Sequence, residues 1–169
     1  AEKIHPIEPV GYRFDLVMPD AREEVEIHAF GRYNIPNALC AATVARLLEV
    51  PVERIGEGIA NYRPGMMRSE VVEAGGVTII ADCYNANPDS VEAAIESLAE
   101  YPARRRRVLL LGDMLELGEE AQMAHRQVGQ TVAEHNIALF ATVGDLAQWS
   151  SWEAGRMGVR SGHFPTREH

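Results

Sequence analysis

The chain predicts an α/β fold: a mostly parallel sheet with flanking helices, preceded by a small segment made of a strand pair and helices. Three observations carry this. From residue 65 onward, short apolar runs rich in β-branched residues alternate with stretches of helical periodicity, which is the pattern of βα units feeding a parallel sheet. The runs VTIIAD and RVLLLGD each end at an aspartate followed by a polar loop, the edge at which open α/β sheets hold their ligands. Before residue 65 the character differs, so a domain boundary is expected where the pattern breaks at Pro64-Gly65.

Taken in order, YRFDLVM places Tyr12, Phe14 and Leu16 on one side, and EEVEIHAF does the same with Val25, Ile27 and Ala29. These are two half-buried antiparallel strands joined through Pro19 to Arg22. In GRYNIPNALCAATVARLLEV, Asn34 is placed to cap a helix with Pro36 in its first turn and a small-residue face of Ala38, Ala41, Ala42 and Ala45. Pro51 opens a second, short helix with Val52, Ile55, Ile59 and Tyr62 at helical spacing. Glu70 to Ala74 and Val77 to Asp82 flank Gly75-Gly76, a hairpin signal.

Asp89 and Glu92 then have capping-box spacing for a helix whose apolar face is Val91, Ala94, Ile95 and Leu98. After the strand RVLLLGD and the loop GDMLELG comes a helix with Ala121, Ala124, His125, Val128 and Val132 on one side, and then the strand IALFATVG. The strands beginning at Val77 and Val108 are expected to be right-handed crossover neighbours. Asp145 to Met157 reads as helical and Val159 to Phe164 as a further strand, while PTREH reads as the start of a helix that is cut off.

With 169 residues, 46% of them apolar and 24% charged, the chain can bury a core and has the composition of a soluble protein. No apolar run reaches the length of a membrane span and no signal pattern opens the sequence, so a cytoplasmic setting without membrane insertion is expected. A formal charge of −9 argues against nucleic-acid binding. The one basic run, Arg104 to Arg107, reads as a solvated lead-in to a strand. The two cysteines, Cys40 and Cys83, have neither metal-site nor disulfide spacing.

Several side chains are candidates for chemistry. Asp82, at a strand's carboxyl end, can accept from both hydroxyls of a ribose or can cap the loop amides near Asn85 and Asn87. Asn34 and Asn37 lie one turn apart at a helix start, where both amides can face one base or sugar. Arg68 offers a forked contact to phosphate or simple solvation. Asp113 and Glu116 can hold a metal, position an amine or cap the helix near Glu119, local capping being the default. His125, on an apolar helix face, reads as a hydrogen-bonded, partly buried histidine rather than a catalytic one. A phosphate cradle of the GxxxxGK type is absent from the sequence, whose only lysine is Lys3.

Together GRYNIPNALCAA, the Arg68 segment, IIADCYNANPDSVEAAI and LLLGDMLELGEEAQMAHRQVG resemble the Mur ligases, from the N-terminal strands to about Gly144. The pairing of YNANP with GDMLELG is specific; the GxxN-type helix start is shared with folylpolyglutamate synthases. The resemblance implies that residues 1–64 are the C-terminal part of a central ATP-binding domain. Residues 65–169 would be most of a C-terminal Rossmann-like domain, truncated at its end. It also implies ATP and Mg²⁺ as cofactors, with the phosphate cradle and metal ligands lying outside this stretch.

The best match within the family implies a ligase of peptidoglycan synthesis that adds D-alanyl-D-alanine to UDP-N-acetylmuramoyl-tripeptide through an acyl phosphate. By motif position, Asn34 and Asn37 would contact the adenine side of ATP, Asp82 the ribose and Arg68 the phosphates. Asn85, Asn87, Asp113 and Glu116 would lie near the amine substrate or the nucleotide. No catalytic residue and no metal ligand is assigned within the stretch. Where the family usually has histidine this chain has Tyr33, which keeps an aromatic ring and gives up the imidazole's hydrogen bond. The full-length protein is expected to be a monomer acting on small molecules, and this part of it to be inactive alone. The alternatives are another Mur or folylpolyglutamate-type ligase, and a non-catalytic nucleotide- or partner-binding module.

Overall fold

Phe14 and Leu16 on one strand face the same way as Val25 and Ile27 on the next, and this alternation builds the first core. In the computed structural model, which describes residues 1–101, 106–166 and 168, contacts divide the chain into two units, Ala1–Tyr84 and Asn85–His169. The first unit opens with an antiparallel sheet of three strands, β1 (Glu2–Pro6), β2 (Tyr12–Val17) and β3 (Arg22–Ile27), in that order. The sequence showed only the second and third. β1 carries charged and proline residues on both faces and buries almost nothing, so periodicity could not reveal it. It is held by pairing to β2 and by ion pairs: Arg22 donates to Glu2 at 2.6 Å and to Asp15 at 2.8 Å, and Lys3 lies 3.2 Å from Asp15. Arg22 and then Lys3 hold the Asp15 carboxyl below its usual range.

Helices α1 (Asn34–Leu47) and α2 (Val52–Ala60) complete this core, α1 through Ile35, Ala38 and Ala42 and α2 through Ile55 and Ile59. The small residues of α1 are therefore partly spent on core packing. Asn34, expected as the helix cap, is instead the first helical residue. Its amide nitrogen turns back to donate to the carbonyl of Phe30 at 2.7 Å, so it ties the preceding turn and gives the helix no side-chain cap, the Asn34 and Ile35 N–H groups donating instead to the Gly31 and Arg32 carbonyls at 3.1 and 3.0 Å.

A hairpin of β4 (Glu70–Ala74) and β5 (Val77–Ala81) closes the unit, with Ala74 opposite Val77 across Gly75-Gly76. Both glycines have positive φ, 57° and 75°, as a two-residue hairpin turn requires. The hairpin expectation holds, but its continuation does not. Among the described residues β5 pairs only with β4, and the strand that begins at Val108 pairs with β7 instead. β5 keeps exposed or half-buried side chains on both faces, Val77 and Ile79 among them, unlike a strand enclosed within a parallel sheet.

The second unit starts with α3 (Pro88–Glu100). Its capping box is Asn87 with Ser90 rather than Asp89 with Glu92: the Asn87 carboxamide accepts from the Ser90 amide at 2.9 Å, and the Ser90 hydroxyl accepts from the Asn87 amide at 3.1 Å. Pro88 at the first helical position fixes that register. The parallel sheet contains β6 (Val108–Leu111), β7 (Leu139–Val143) and β8 (Ser161–Phe164), linked by α4 (Ala121–Glu134), which a 3₁₀ turn precedes, and α5 (Gln148–Arg156). Leu109, Leu111 and Phe140 face a core shared with Val91, Ile95, Val128, Val132 and Ala154 from the three helices. Val108 and Leu110, on the other face of β6, are 55% and 69% exposed, so among the described residues the helices cover one face of this sheet.

Within the basic run, Arg104 and Arg105 lie outside the described residues, as do Arg167 and His169 of the tail. Arg107 donates to the carbonyls of Leu98 and Tyr101 at 2.9 and 3.1 Å, closing the C-terminal end of α3.

Candidate functional site

Small side chains on α1 leave room between it and α2, and that room is a cavity of about 340 Å³. Ala38, Ala41 and Ala42 form one wall, Ile55 and Ile59 the other. Asn34 and Asn37 both line it, the first buried and the second exposed. The volume and apolar walls with two convergent amides suit a flat heterocycle whose edge needs both donors and acceptors. With its nitrogen committed to Phe30, Asn34 offers its oxygen; Asn37 offers both halves of its amide.

Arg68 and Asp82 sit on either side of the β4–β5 hairpin and are brought together by three contacts. The Ser69 amide donates to Asp82 Oδ1 at 3.1 Å, the Tyr84 amide donates to the Met67 carbonyl at 3.1 Å, and the Arg68 guanidinium lies 4.0 Å from the centre of the Tyr84 ring. Asp82 is exposed, and among the described residues no hydrogen bond occupies Oδ2. Asp82 therefore keeps a free acceptor on an exposed carboxylate. The Tyr33 and Ser69 hydroxyls also share a short hydrogen bond. It connects the turn just before Asn34 to the Arg68 segment, a link that sequence reasoning missed because nothing in local spacing joins residues so far apart.

Burial pushes the Tyr33 phenol above its ordinary value near 10, the charge of Asp82 adds to the rise, and the Ser69 contact opposes it. The folded state thus holds this proton to higher pH than the unfolded state does. Its stabilising contribution is complete below about pH 10 and is lost as pH climbs through the folded value. An absorbance titration should show a late-ionising phase that belongs to Tyr33, with thermal stability falling over the same interval. A Tyr33→Phe chain that keeps the late phase would refute the assignment.

The remaining four residues expected at the site belong to the second unit. Asn87 is the helix cap just described, and Asn85 is exposed. Asp113 does not serve the helix near Glu119. Its Oδ1 accepts from the amides of Leu146 and Ala147 at 2.9 and 2.7 Å and so secures the start of α5, bridging the loops after β6 and β7. Glu116 is exposed with φ at 64°, presented by the loop rather than packed into it. Met114 between them is fully buried, and its amide donates to His125 Nε2 at 3.1 Å. Since the Ala121 carbonyl 2.7 Å from His125 Nδ1 can only accept, Nδ1 carries the proton and Nε2 is the acceptor. His125 is hydrogen-bonded as expected, but it is completely rather than partly buried, and it has the added role of anchoring the loop.

Among the described residues no three His, Cys, Asp or Glu side chains converge as metal ligands, and no helix is long and apolar enough to cross a membrane.

A one-face-covered parallel sheet with anchored polar loops at its carboxyl ends, joined in sequence to a helix pair with an amide-lined groove, is an α/β architecture of the class whose members hold ligands at the carboxyl ends of their strands. Residues 67–168 match the family model described as Mur ligase, glutamate ligase domain, and the chain belongs to the Mur ligase family. A curated relative from Mycobacterium tuberculosis, a UDP-N-acetylmuramoyl-tripeptide--D-alanyl-D-alanine ligase, is 38% identical over 138 residues, which are 78% of this chain and 27% of that protein. A crystal structure of MurF from Acinetobacter baumannii superposes with a TM-score of 0.89 at 27% identity, over 98% of this chain and 35% of its own. The MurF ligase of Thermotoga maritima in complex with ADP shares the fold, with a TM-score of 0.78 at 20% identity over 99% of this chain and 36% of its own. The chain thus spans about a third or less of the proteins it matches.

Proposed function

We propose that this chain is part of a cytoplasmic, monomeric ATP-dependent ligase that joins D-alanyl-D-alanine to UDP-N-acetylmuramoyl-tripeptide in peptidoglycan synthesis. The observation that carries the reading is the placement of Asn34 and Asn37 on one groove, with Arg68 and the free oxygen of Asp82 tied through Ser69 and Tyr33 to the helix start beside it. Adenine fits the groove, Asp82 accepts from ribose hydroxyls, and Arg68 meets the phosphates. Residues 1–64 then close a central ATP-binding domain and residues 65–169 form the C-terminal domain. The start of the family match at residue 67 supports that boundary, although contacts alone divide the chain after Tyr84.

In such a ligase ATP activates the tripeptide carboxylate and the dipeptide amine displaces phosphate; the protein's share is alignment and charge neutralisation. Asn85, Asn87, Asp113 and Glu116 supply the amine-side loops. Asp113 acts there by holding the loops after β6 and β7 together, which leaves Glu116 as the carboxylate presented to an ammonium group. Mg²⁺ takes about six oxygen ligands, and the described residues offer no such set, so no step is assigned to it within this chain.

The chain alone, given ATP, the UDP-tripeptide and D-alanyl-D-alanine, is expected to release no phosphate. In amide NMR titrations ADP should shift Asn37 and Asp82, and D-alanyl-D-alanine should shift Glu116. Turnover by this chain by itself would overturn the division of labour. Shifts at Glu116 with glutamate and none with the dipeptide would move the chain to a glutamate-adding ligase.

A further inference from the structure

We propose that Tyr33 and Ser69 form a latch that fixes Arg68 and Asp82 relative to the start of α1, making Tyr33 a positioning residue for the ribose and phosphate side of the nucleotide site. The proposal rests on the nucleotide reading above. Its physical basis is the backbone around Arg68. Met67 and Ser69 have φ of 59° and 54°, a left-handed conformation that side-chain-bearing residues adopt only when their surroundings over-determine it. Four contacts do so here. The Met67 carbonyl accepts from Tyr84, Arg68 stacks on the Tyr84 ring, and the Ser69 amide is taken by Asp82. The fourth is the Ser69 hydroxyl, bonded to the Tyr33 phenol; Ser69 is 6% exposed, so no water readily replaces that partner.

The first three contacts only tie the hairpin to itself. Without the fourth, Arg68 and Asp82 would keep their mutual arrangement while losing a fixed relation to Asn34. Gly31 makes room for the Tyr33 ring, because a Cβ there would overlap it, so only glycine lets the ring lie across the turn. A positioned ring with one hydroxyl at its tip transmits the location of α1's first turn to Ser69, and Ser69 passes it to both charged groups.

The test uses Tyr33→Phe and Ser69→Ala in this chain, singly and together. Tyr33→Phe removes one oxygen and leaves the ring in place. Amide hydrogen exchange at Ser69 should quicken about tenfold in each variant while that of Ala42 in α1 stays constant, and ADP affinity should fall about three- to tenfold, consistent with losing one buried hydrogen bond. The double variant should be no weaker than either single one, since both remove the same bond. Unchanged Ser69 exchange overturns the latch. Faster exchange with unchanged ADP affinity overturns the positioning role. A wild-type chain that shows no ADP-dependent shifts at millimolar nucleotide overturns the nucleotide reading and the positioning role with it, while Ser69 exchange still judges the latch.

Discussion

Replacing Gly129 by alanine is expected to destabilise the Asn85–His169 unit by about 2–3 kcal/mol. Helix propensity predicts the opposite sign, since a mid-helix glycine costs about 0.5–1 kcal/mol relative to alanine. Packing decides between them. Gly129 lies where α4 crosses α5, and a Cβ built on it would sit 2.5 Å from the Ser150 carbonyl oxygen, 2.8 Å from Glu153 Cβ and 3.1 Å from the Ala154 amide. Two of the three atoms are backbone of a helix that is tied down elsewhere, by Ser150 donating to the His125 carbonyl at 2.6 Å and by Asp113 at its start. The neighbour therefore cannot swing aside, and α5 must move as a body. Both tryptophans, Trp149 and Trp152, belong to α5, so denaturant unfolding followed by their fluorescence reads this unit directly. An unchanged or higher midpoint in Gly129→Ala would show that the helices separate without cost.

His125→Ala is expected to cost more, about 3–5 kcal/mol. The imidazole is completely buried, so its removal leaves a cavity between α4 and the loop after β6. It also strands one buried polar group, the Met114 amide, which loses its acceptor, while the Ala121 carbonyl is left with its helical partner alone. Met114 is itself fully buried in the core, so the loss propagates from the helix into the loop that carries Asp113 and Glu116. Fluorescence-detected unfolding gives the stability, and amide exchange at Met114 should accelerate by orders of magnitude relative to Val132. A loss of stability with Met114 exchange unchanged would mean that the histidine fills space without holding the loop.

These two residues mark how far the sequence could be read. The helix containing both was legible from the spacing of Ala121, Ala124, His125, Val128 and Val132, because a buried stripe must recur at the helical period. Gly129, four residues after His125 and three before Val132 on that same face, gave no signal because it has no apolar side chain to mark it, yet it is buried against α5. The strands from Tyr12 to Ile27, the helices beginning near Asn34 and Pro51, the Gly75-Gly76 hairpin and the alternation of strands and helices from Val108 to Phe164 are carried by local pattern, whereas the order β6–β7–β8 is not. What local pattern carried less well was who partners whom. Spacing predicts Asn34 as a cap, and it ties a turn; it predicts for Asp89 and Glu92 the capping box that Asn87 and Ser90 form; the strand–helix alternation predicts β5 beside β6, and among the described residues β5 pairs only with β4. In each case two side chains or edges with equivalent chemistry competed for one hydrogen-bonding role, and a spacing of three or four residues does not choose between them.

The candidate site divides the same way. Asn34, Asn37, Arg68 and Asp82 were each visible as polar residues at the ends of elements, where ligands are held, and the sequence alone determined that such residues exist and which elements carry them. Only the tertiary structure decided that the two amides share a groove and that Asp82 keeps one oxygen free. The Tyr33–Ser69 bond spanning the segments is likewise a product of the fold. The reason is physical: periodicity reports which side of a helix or strand is buried, a property of consecutive residues, whereas a site is a set of distances between residues far apart in the chain, and those are fixed only once the cores have packed.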